Sequence, residues 1–326
     1  MDRKTVADKV LERLQWAEQN IGNFTSQDGD NTINQDCVRA VISRFGLREG
    51  TWRKYHELGD AEKYLQECVR ASELLMAAYP TLYTGTDGQP GAGYGEMWTT
   101  EDLGQVPGII LYKSYVKDIN PMGMSYIEHT SSHYVEMNQN TVDLYLMKNG
   151  KPILADGSGY HGNKDMYAVF RDRDPRLYQT VADSLRIMSA MGTNYTEGTS
   201  PTGYPTKKFL NDEWWVAGLD YCTGRLSPAD APCIRYAEVL LNYVEARYEI
   251  AQVGGNAFSQ SDLDKSINEL RDRQLTKWGD TEAKTMPKVQ LNGGNLSVNG
   301  VIINDPAVTL MSIRFCGKSV VSVVLS

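Results

Sequence analysis

Long apolar segments are absent from this sequence. The N-terminal stretch MDRKTVADKVLERL has no apolar signal-peptide core, and no apolar run is long enough to cross a lipid bilayer. Clusters of Lys and Arg are also missing, and the formal net charge is -8, which argues against a nucleic-acid partner. The chain as written is therefore expected to be soluble and to carry no targeting signal.

Motifs for common chemistry are missing too. The five cysteines form no CxxC pair, so neither a zinc ribbon nor a redox dithiol is expected. No GxSxG nucleophile motif occurs, and the glycine-rich segment GAGYGEMW is not followed by the GK[ST] of a phosphate-binding loop. These absences favour a binding protein over an enzyme, with no cofactor and no bound metal.

Apolar residues at helical spacing dominate the N-terminal part of the chain. They predict three helices, which we place at Lys4–Ile21, Asn34–Arg48 and Asp60–Tyr79. Gly50–Asp60 is expected to break the second helix, and Pro80 is expected to end the third. Paired antiparallel helices with small residues at close contacts are typical of helical-repeat proteins.

The middle of the sequence lacks this periodicity. Residues 84–130 are predicted to be mostly loop, with a short strand at Ile109–Tyr115. Val142–Ile153 is predicted to form two extended pieces joined by a turn at Asn149–Gly150. We therefore expect an irregular, mixed layer beside the helices.

A helical hairpin is predicted in the C-terminal part. A stripe of apolar residues predicts a helix over Ile234–Ala251, which the Gly254–Gly255 pair ends. Ser259, with Asp262 three residues later, has the pattern of a capping box and predicts a second helix that extends to Arg273.

Several blocks of the sequence, spread over most of the chain, form one set. The hairpin reads IRYAEVLLNYVEARYEI followed by LDKSINELRDR. Three further blocks are VDLYLMKNGKPI (142–153), FRDRDPRLYQTV (170–181) and TGYPTKKF (202–209), and an early block is INQDCVRAVISRF with the helix at 60–79. In their sequence and order these blocks resemble segments of the SusD/RagB family, the early block resembling its first helical repeat.

The resemblance implies both a fold and a function. Members of the family are cell-surface lipoproteins of Bacteroidetes that capture nutrients, mostly glycans, for a transporter. The implied fold is mainly α: a tetratricopeptide-like α-superhelix that supports a loop-rich mixed subdomain. The implied function is non-catalytic binding of a polysaccharide or oligosaccharide, for uptake through a partner SusC-like TonB-dependent transporter of the outer membrane.

Three alternatives to glycan binding remain open. The first is a member of the same family that binds a peptide or a glycoprotein. The second is a helical scaffold that binds only the transporter. The third is a hydrolase.

The two ends of the chain depart from the family pattern. The family's signal peptide and lipidated cysteine are not present, so the chain is expected to start inside the protein. The tail FCGKSVVSVVLS stands where the family has an Arg- and Glu-rich helix. The genetic code allows residues 314–326 to be encoded by a DNA sequence whose translation in another reading frame is ILWEIRRERRVE. We therefore expect a frameshift just before residue 314, which the nucleotide sequence of the gene tests.

The patterns divide the chain into four parts, with boundaries where helical periodicity stops and resumes. The expected parts are a helical-repeat part at 1–80, an irregular loop-rich subdomain at 81–231, a C-terminal helical hairpin region at 232–313 and an out-of-frame tail at 314–326.

Two histidines offer a possible metal site. His129 and His133, in HTSSH, have the i, i+4 spacing that can bind a metal on a helix. The surrounding Ser, Thr and Tyr residues indicate a polar loop instead, and the glutamate of the HExxH motif is missing. We therefore expect no metal at this position.

A charged cluster offers a possible carboxylate pair. Asp172 and Asp174 could act together as in a glycosidase if one of them stayed protonated. Arg171, Arg173 and Arg176 are instead expected to keep both carboxylates ionised, with lowered pKa values. The sequence therefore predicts a salt-bridged structural turn.

Aromatic residues are the stronger functional signal. The chain has 19 Tyr and 6 Trp, and such rings stack on the apolar faces of sugars while polar neighbours bond the hydroxyls. Several of them lie in loops, where no apolar stripe explains them. The candidate ligand-binding residues, each with ordinary packing as the alternative, are Tyr94, Trp98, Tyr126, Tyr134, Trp214 and Trp215.

Overall fold

The computed structural model is mainly helical. It describes residues 2–22, 31–86, 91–123, 136–181, 202–211, 213–214, 217–222, 226–276, 282 and 284–304. The helices within these residues are α1 Arg3–Ile21, α2 Gln35–Tyr55, α3 Ala61–Ala78, α4 Gly93–Glu96, α5 Gln139–Asp143, α6 Met166–Phe170, α7 Pro175–Thr180, α8 Tyr236–Gln252, α9 Gln260–Asp264 and α10 Ile267–Asp272. The strands are β1 Ile109–Lys113, β2 Ala231–Arg235, β3 Val289–Asn292, β4 Asn295–Val298 and β5 Val301–Ile302.

Helices α2 and α3 form an antiparallel pair with a very close contact. A Cβ atom at Gly46 would lie 2.6 Å from the carbonyl oxygen of Tyr64, and one at Gly50 would lie 2.6 Å from the Leu65 side chain. Glycine has no Cβ, so its place on this face lets the two helices approach. The predicted helix break at Gly50–Asp60 is therefore confirmed only from His56 onwards: Gly50 serves a helix contact, and α2 continues to Tyr55.

Helix α1 packs antiparallel to α2 through ion pairs at both of its ends. Near its start, Arg3 Nη2 lies 2.6 Å from Glu49 Oε2. Near its end, Glu18 bridges two arginines, with Arg39 Nε at 3.1 Å and Arg70 Nη2 at 2.6 Å. The predicted N-terminal helices are therefore confirmed, together with their antiparallel arrangement.

Helix α8 packs against the α2–α3 pair. The Asn242 amide nitrogen donates to the Ser43 hydroxyl at 3.1 Å, and the hydroxyls of Ser43 and Ser72 lie 2.8 Å apart. Buried apolar side chains from α3, β1, β2 and α8 fill the space beside these polar contacts. This layering of helix pairs beside an irregular part confirms the expected tetratricopeptide-like fold with a loop-rich mixed portion.

A short antiparallel ladder joins the loop-rich part to α8. Strand β1 pairs with β2, with Tyr112 opposite Pro232. The predicted strand at Ile109–Tyr115 is confirmed up to Lys113. The predicted helix from Ile234 starts later than expected, because Ile234 belongs to β2 and α8 begins at Tyr236.

The extended pieces predicted over 142–153 are not formed as expected. The Asn138 side chain accepts from the Thr141 amide and caps α5, so the segment begins as a helical turn. Arg173 Nη2 then donates to the carbonyl oxygens of Val142 and Tyr145, at 2.7 Å each. A buried guanidinium thus satisfies carbonyl groups that a strand would have paired with another strand.

The predicted turn in the same segment is confirmed. The Gly150 amide donates to the Met147 carbonyl oxygen at 2.8 Å, and Gly150 has a φ of 81°, a backbone conformation that favours glycine. The Asn149 side chain accepts from the Lys151 amide at 3.1 Å.

The C-terminal hairpin is confirmed with one change. Ser259 and Asp262 form the predicted capping box. The second helix is interrupted, because Ser266 leaves the helical conformation and separates α9 from α10. Strands β3, β4 and β5 follow as an antiparallel meander, held to α10 by the Asn268 amide. Within the described residues, no helix has the length and apolar character that crossing a bilayer requires.

Candidate functional site

The structure describes three of the six candidate aromatic residues. Tyr94 lies in α4, Trp98 follows α4, and Trp214 lies in the segment after residue 211. The candidates that lie outside the described residues are Tyr126, Tyr134, Trp215 and the histidine pair His129 and His133.

Gln179 positions the segment that carries Tyr94 and Trp98. Its side chain projects from α7 and is buried. The amide nitrogen donates to the carbonyl oxygens of Gly91 at 2.8 Å and Thr276 at 2.7 Å. The amide oxygen accepts from the Gly95 amide at 2.7 Å. One side chain therefore connects α7, the start of α4 and the chain after α10.

Helix α7 is itself held by the charged turn before it. Asp174 is fully buried, caps α7 and forms an ion pair of 2.5 Å with Arg176. Asp172, on the other side of Arg173, pairs with Lys148 and with His161. The predicted salt-bridged turn therefore exists, and the two carboxylates bind different cations.

The pKa prediction for this turn is confirmed at Asp172. A hydrogen bond from Lys148, and then one from His161, lower the pKa of the Asp172 carboxyl. The arginines that the sequence suggested contribute less, with Arg171 Nε at 3.7 Å from Asp172. Both aspartates therefore take part in structural ion pairs.

Three cations converge on the rings of Tyr94 and Trp98. Lys208 Nζ lies 3.9 Å from the Trp98 ring centre and 5.8 Å from the Tyr94 ring centre. Arg235 Cζ lies 5.1 Å from the Trp98 ring, and Arg273 Cζ lies 5.5 Å from the Tyr94 ring. We call these five residues the cation–aromatic cluster. Sugar stacking on the Trp98 face under Lys208 would require the lysine to move.

Local structure explains how these cations meet. Arg235 is the last residue of β2 and the N-cap of α8, so the β1–β2 ladder fixes its position. Arg273 directly follows α10. Lys208 precedes Phe209, which has a φ of 67° and contacts the Trp98 ring edge-on, with ring centres 5.4 Å apart. A bulky residue in this left-handed region is uncommon, and such strain occurs often at functional sites.

The charges of the cluster perturb one another. Burial raises the pKa of Tyr94, but the positive charges of Lys208 and Arg235 outweigh it and lower that pKa to about 8. Burial lowers the pKa of Lys208; the charge of Tyr94 opposes this effect, and the charge of Arg235 adds to it. Burial, opposed by Tyr94 and assisted by the charges of Arg235 and Arg176, lowers the pKa of Arg273 to about 10. The cluster therefore carries an excess of positive charge in a poorly solvated place.

A second aromatic group lies around Trp214. Its ring meets the Tyr221 ring edge-on, with centres 5.2 Å apart. Lys117 Nζ lies 5.5 Å from the Tyr221 ring centre and 2.6 Å from Asp220 Oδ2. The Asn211 side chain accepts from the Trp214 amide at 3.2 Å and fixes the turn. We call Trp214, Tyr221, Lys117 and Asp220 the tryptophan surface.

The sequence pattern did not identify the cations of the cluster. Lys208, Arg235 and Arg273 each lie in a block that resembles the family, but nothing in their spacing shows that they meet. Among the described residues, no three His, Cys, Asp or Glu side chains are grouped as a metal site would need.

Comparisons with known proteins agree on one family. The sequence model of the SusD family matches residues 112–292, which is more than half of the chain. No curated protein is significantly similar in sequence.

Solved structures share the fold. A SusD-like carbohydrate-binding protein from Bacteroides fragilis aligns with 100% of this chain and 57% of its own length, at 16% identity and a TM-score of 0.61. A second SusD-like protein from Bacteroides fragilis aligns with 86% of this chain and 55% of its own length, at 18% identity and a TM-score of 0.55. A SusD superfamily protein from Parabacteroides distasonis aligns with 87% of this chain and 52% of its own length, at 16% identity and a TM-score of 0.51. The chain thus spans little more than half the length of these structures, and at such identities the likeness shows the fold alone.

Proposed function

The chain belongs to the SusD/RagB family, and on that premise we propose that it serves non-catalytic binding of a glycan at the cell surface, for uptake through a partner SusC-like TonB-dependent transporter of the outer membrane. The observation that carries the proposal is the family match over residues 112–292. The fold shared with a carbohydrate-binding protein from Bacteroides fragilis supports a glycan as the ligand.

The tryptophan surface is the candidate contact for a sugar ring. Trp214 is partly exposed, and its ring contacts Tyr221, whose ring lies near Lys117 of the Lys117–Asp220 ion pair. A ring of this kind offers an apolar face to sugar C–H groups, while charged neighbours can bond the hydroxyls. We propose that Trp214 contributes to glycan affinity, with Tyr126, Tyr134 and Trp215 as further candidates.

A glycan array with matched variants tests the proposal. The wild-type protein is expected to bind at least one glycan, and Trp214→Ala should weaken that binding about tenfold, which corresponds to about 1.4 kcal/mol. The control is Trp16→Ala, because Trp16 lies on α1 and is 60% exposed. It should bind like the wild type.

Other outcomes support the alternatives. Binding to a peptide panel and to no glycan would favour a peptide-binding member of the family. Unchanged glycan binding in both tryptophan variants would remove Trp214 from the site. Hydrolysis of a glycan that disappears in Asp172→Asn would contradict a non-catalytic role. Co-purification with a TonB-dependent transporter tests the partner, and its failure would favour a protein that acts alone.

A further inference from the structure

Other shielded cations of the protein bond to oxygen atoms of the fold. The buried Arg173 and Arg271 donate to backbone carbonyl oxygens. Arg53, Arg176 and Arg247 each form an ion pair with a carboxylate, at 2.8, 2.5 and 2.8 Å. Within the part of the chain that the structure describes, no carboxylate forms an ion pair with Lys208, Arg235 or Arg273. Burying a charge without a counter-charge is costly, so such a group of cations favours an anion.

The hydrogen-bond donors of the cluster also favour a bound anion. Arg273 is only 6% exposed, and its Nε and Nη2 atoms are buried without a hydrogen-bond partner. The Trp98 ring nitrogen is buried and unpartnered as well. Buried donors in proteins are nearly always satisfied, so these donors favour an acceptor that enters from solution. Trp98, Lys208 and Arg235 are partly exposed, which gives solvent a route to the cluster.

We infer that the cation–aromatic cluster binds the anionic group of a charged glycan, either the carboxylate of a uronic acid or a sulfate ester. The inference rests on the proposed function and narrows its substrate class. The planar guanidinium of Arg273 matches two oxygens of such a group, and Lys208 adds a point charge. The Trp98 ring nitrogen adds a donor for an adjacent oxygen of the sugar.

Tyr94 provides a readout of the bound anion in the wild-type protein. The Tyr94 phenol interacts electrostatically with the same cations, since Lys208 and Arg235 oppose the effect of burial and bring its pKa to about 8. An anion placed among these cations would cancel part of their field and raise the pKa of Tyr94 again. Absorbance of the tyrosinate at alkaline pH measures this change, and Tyr94→Phe identifies the signal.

The test compares each anionic ligand with a neutral ligand of the same backbone. The full chain is titrated by calorimetry with an oligogalacturonate and its methyl ester, and with a sulfated galactan oligosaccharide and its desulfated form, all of equal length. We expect each anionic ligand to bind at least tenfold more tightly than its neutral counterpart, and to raise the pKa of Tyr94. The difference between the two anionic ligands identifies carboxylate or sulfate as the preferred group.

Two variants with matched chemistry locate the site. Lys208→Met keeps the apolar stem and should remove most of the preference for anionic ligands. Lys63→Met is the control, because Lys63 also lies over a tyrosine ring, with Nζ 5.4 Å from the Tyr64 ring centre, but has Asp8 beside it. It should keep the preference. If Lys208→Met does not fold, the Tyr94 titration of the wild-type protein decides.

The possible failures are distinguishable. Equal binding of charged and neutral glycans, or an unchanged preference in Lys208→Met, overturns the inference and leaves the proposed function standing. If no glycan binds but glucuronate alone raises the pKa of Tyr94, the proposed function fails and the anion site is supported. If neither a glycan nor glucuronate has any effect, both fail.

Discussion

Replacing Gln179 by leucine tests how the candidate site is held together. The leucine keeps most of the apolar volume of the side chain but has no amide. It removes two hydrogen bonds that Gln179 donates, to Gly91 and Thr276, and one that it accepts from Gly95. The segment with Tyr94 would then lose its two hydrogen bonds to the Gln179 side chain.

The expected loss of folding free energy depends on which hydrogen bonds the three partner groups keep after the substitution. The Gly91 oxygen still accepts from the Thr276 amide at 3.1 Å, and the Gly95 amide still donates to the Ala92 oxygen at 2.9 Å. The oxygen of Thr276 loses its bond to Gln179 inside the protein. Two lost bonds at about 0.5–1 kcal/mol each, and one buried acceptor left unpaired at about 1–3 kcal/mol, give roughly 3 kcal/mol for Gln179→Leu.

Urea unfolding followed by circular dichroism measures this loss, and amide hydrogen exchange over residues 91–98 locates it. Gln179→Glu should cost more than Gln179→Leu at neutral pH, because it turns a carboxylate oxygen toward two carbonyl oxygens. The control is Gln66→Leu, since the exposed Gln66 amide bonds to Glu62 within α3. A loss below about 1 kcal/mol for Gln179→Leu, with unchanged exchange, would refute the reasoning.

Three further predictions concern packing, a buried cation and pH. Gly46→Ala should lower the free energy of unfolding by about 1–3 kcal/mol, because the new methyl meets the Tyr64 backbone. Arg173→Lys should lower it by about 2 kcal/mol in urea unfolding, since an ammonium cannot reach all the carbonyl oxygens that the guanidinium binds. Burial and the charge of Glu249 raise the pKa of Glu245 to about 7, so the folded state holds a proton that the unfolded state releases near pH 4.5. That contribution is fully present below this lower pH and is lost as the pH rises through about 7. Glu245→Gln should therefore be more stable than the wild type at alkaline pH, by up to about 3 kcal/mol, and lose this advantage in acid.

Matched controls separate these effects from general damage. Gly123→Ala places a methyl in open space and should leave stability unchanged. Glu73→Gln removes one negative charge from the exposed side of α3. The first prediction is contradicted if Gly46→Ala melts at the wild-type temperature. The second is contradicted if Arg173→Lys leaves the free energy of unfolding unchanged. The third is contradicted if the stability advantage of Glu245→Gln is the same at every pH.

Local sequence patterns predicted what depends on local forces. The helical conformation of α1, the end of α3 and the capping box at Ser259 all follow from contacts within a few residues. The sequence pattern gave a wrong prediction at Gly50 because this glycine allows close contact with a second helix, which a pattern along one helix cannot reveal. Ile234 was placed in a helix because its strand partner lies in β1, more than a hundred residues earlier.

The candidate site was predictable only in part for the same reason. Tyr94 and Trp98 stood out as aromatic residues in a glycine-rich loop, and the structure brings them together. Their neighbours Lys208, Arg235 and Arg273 come from three distant segments, and only the packing of the chain shows that these charges meet.

The energetics of Lys208 distinguish a binding role from a structural one. Burial and the nearby charge of Arg235 make its ammonium less stable here than in water, while stacking on Trp98 returns about 0.5–2 kcal/mol. Lys208→Met should therefore cost less than about 1 kcal/mol when no anion is present. A ligand at a hundred times its dissociation constant stabilises the wild type by about 2.7 kcal/mol, and a variant that binds it tenfold more weakly should lose about half of this gain. If Lys208 served only the fold, Lys208→Met would lower stability equally with and without the anionic glycan, so the difference between the two melting temperatures decides the role of the cluster.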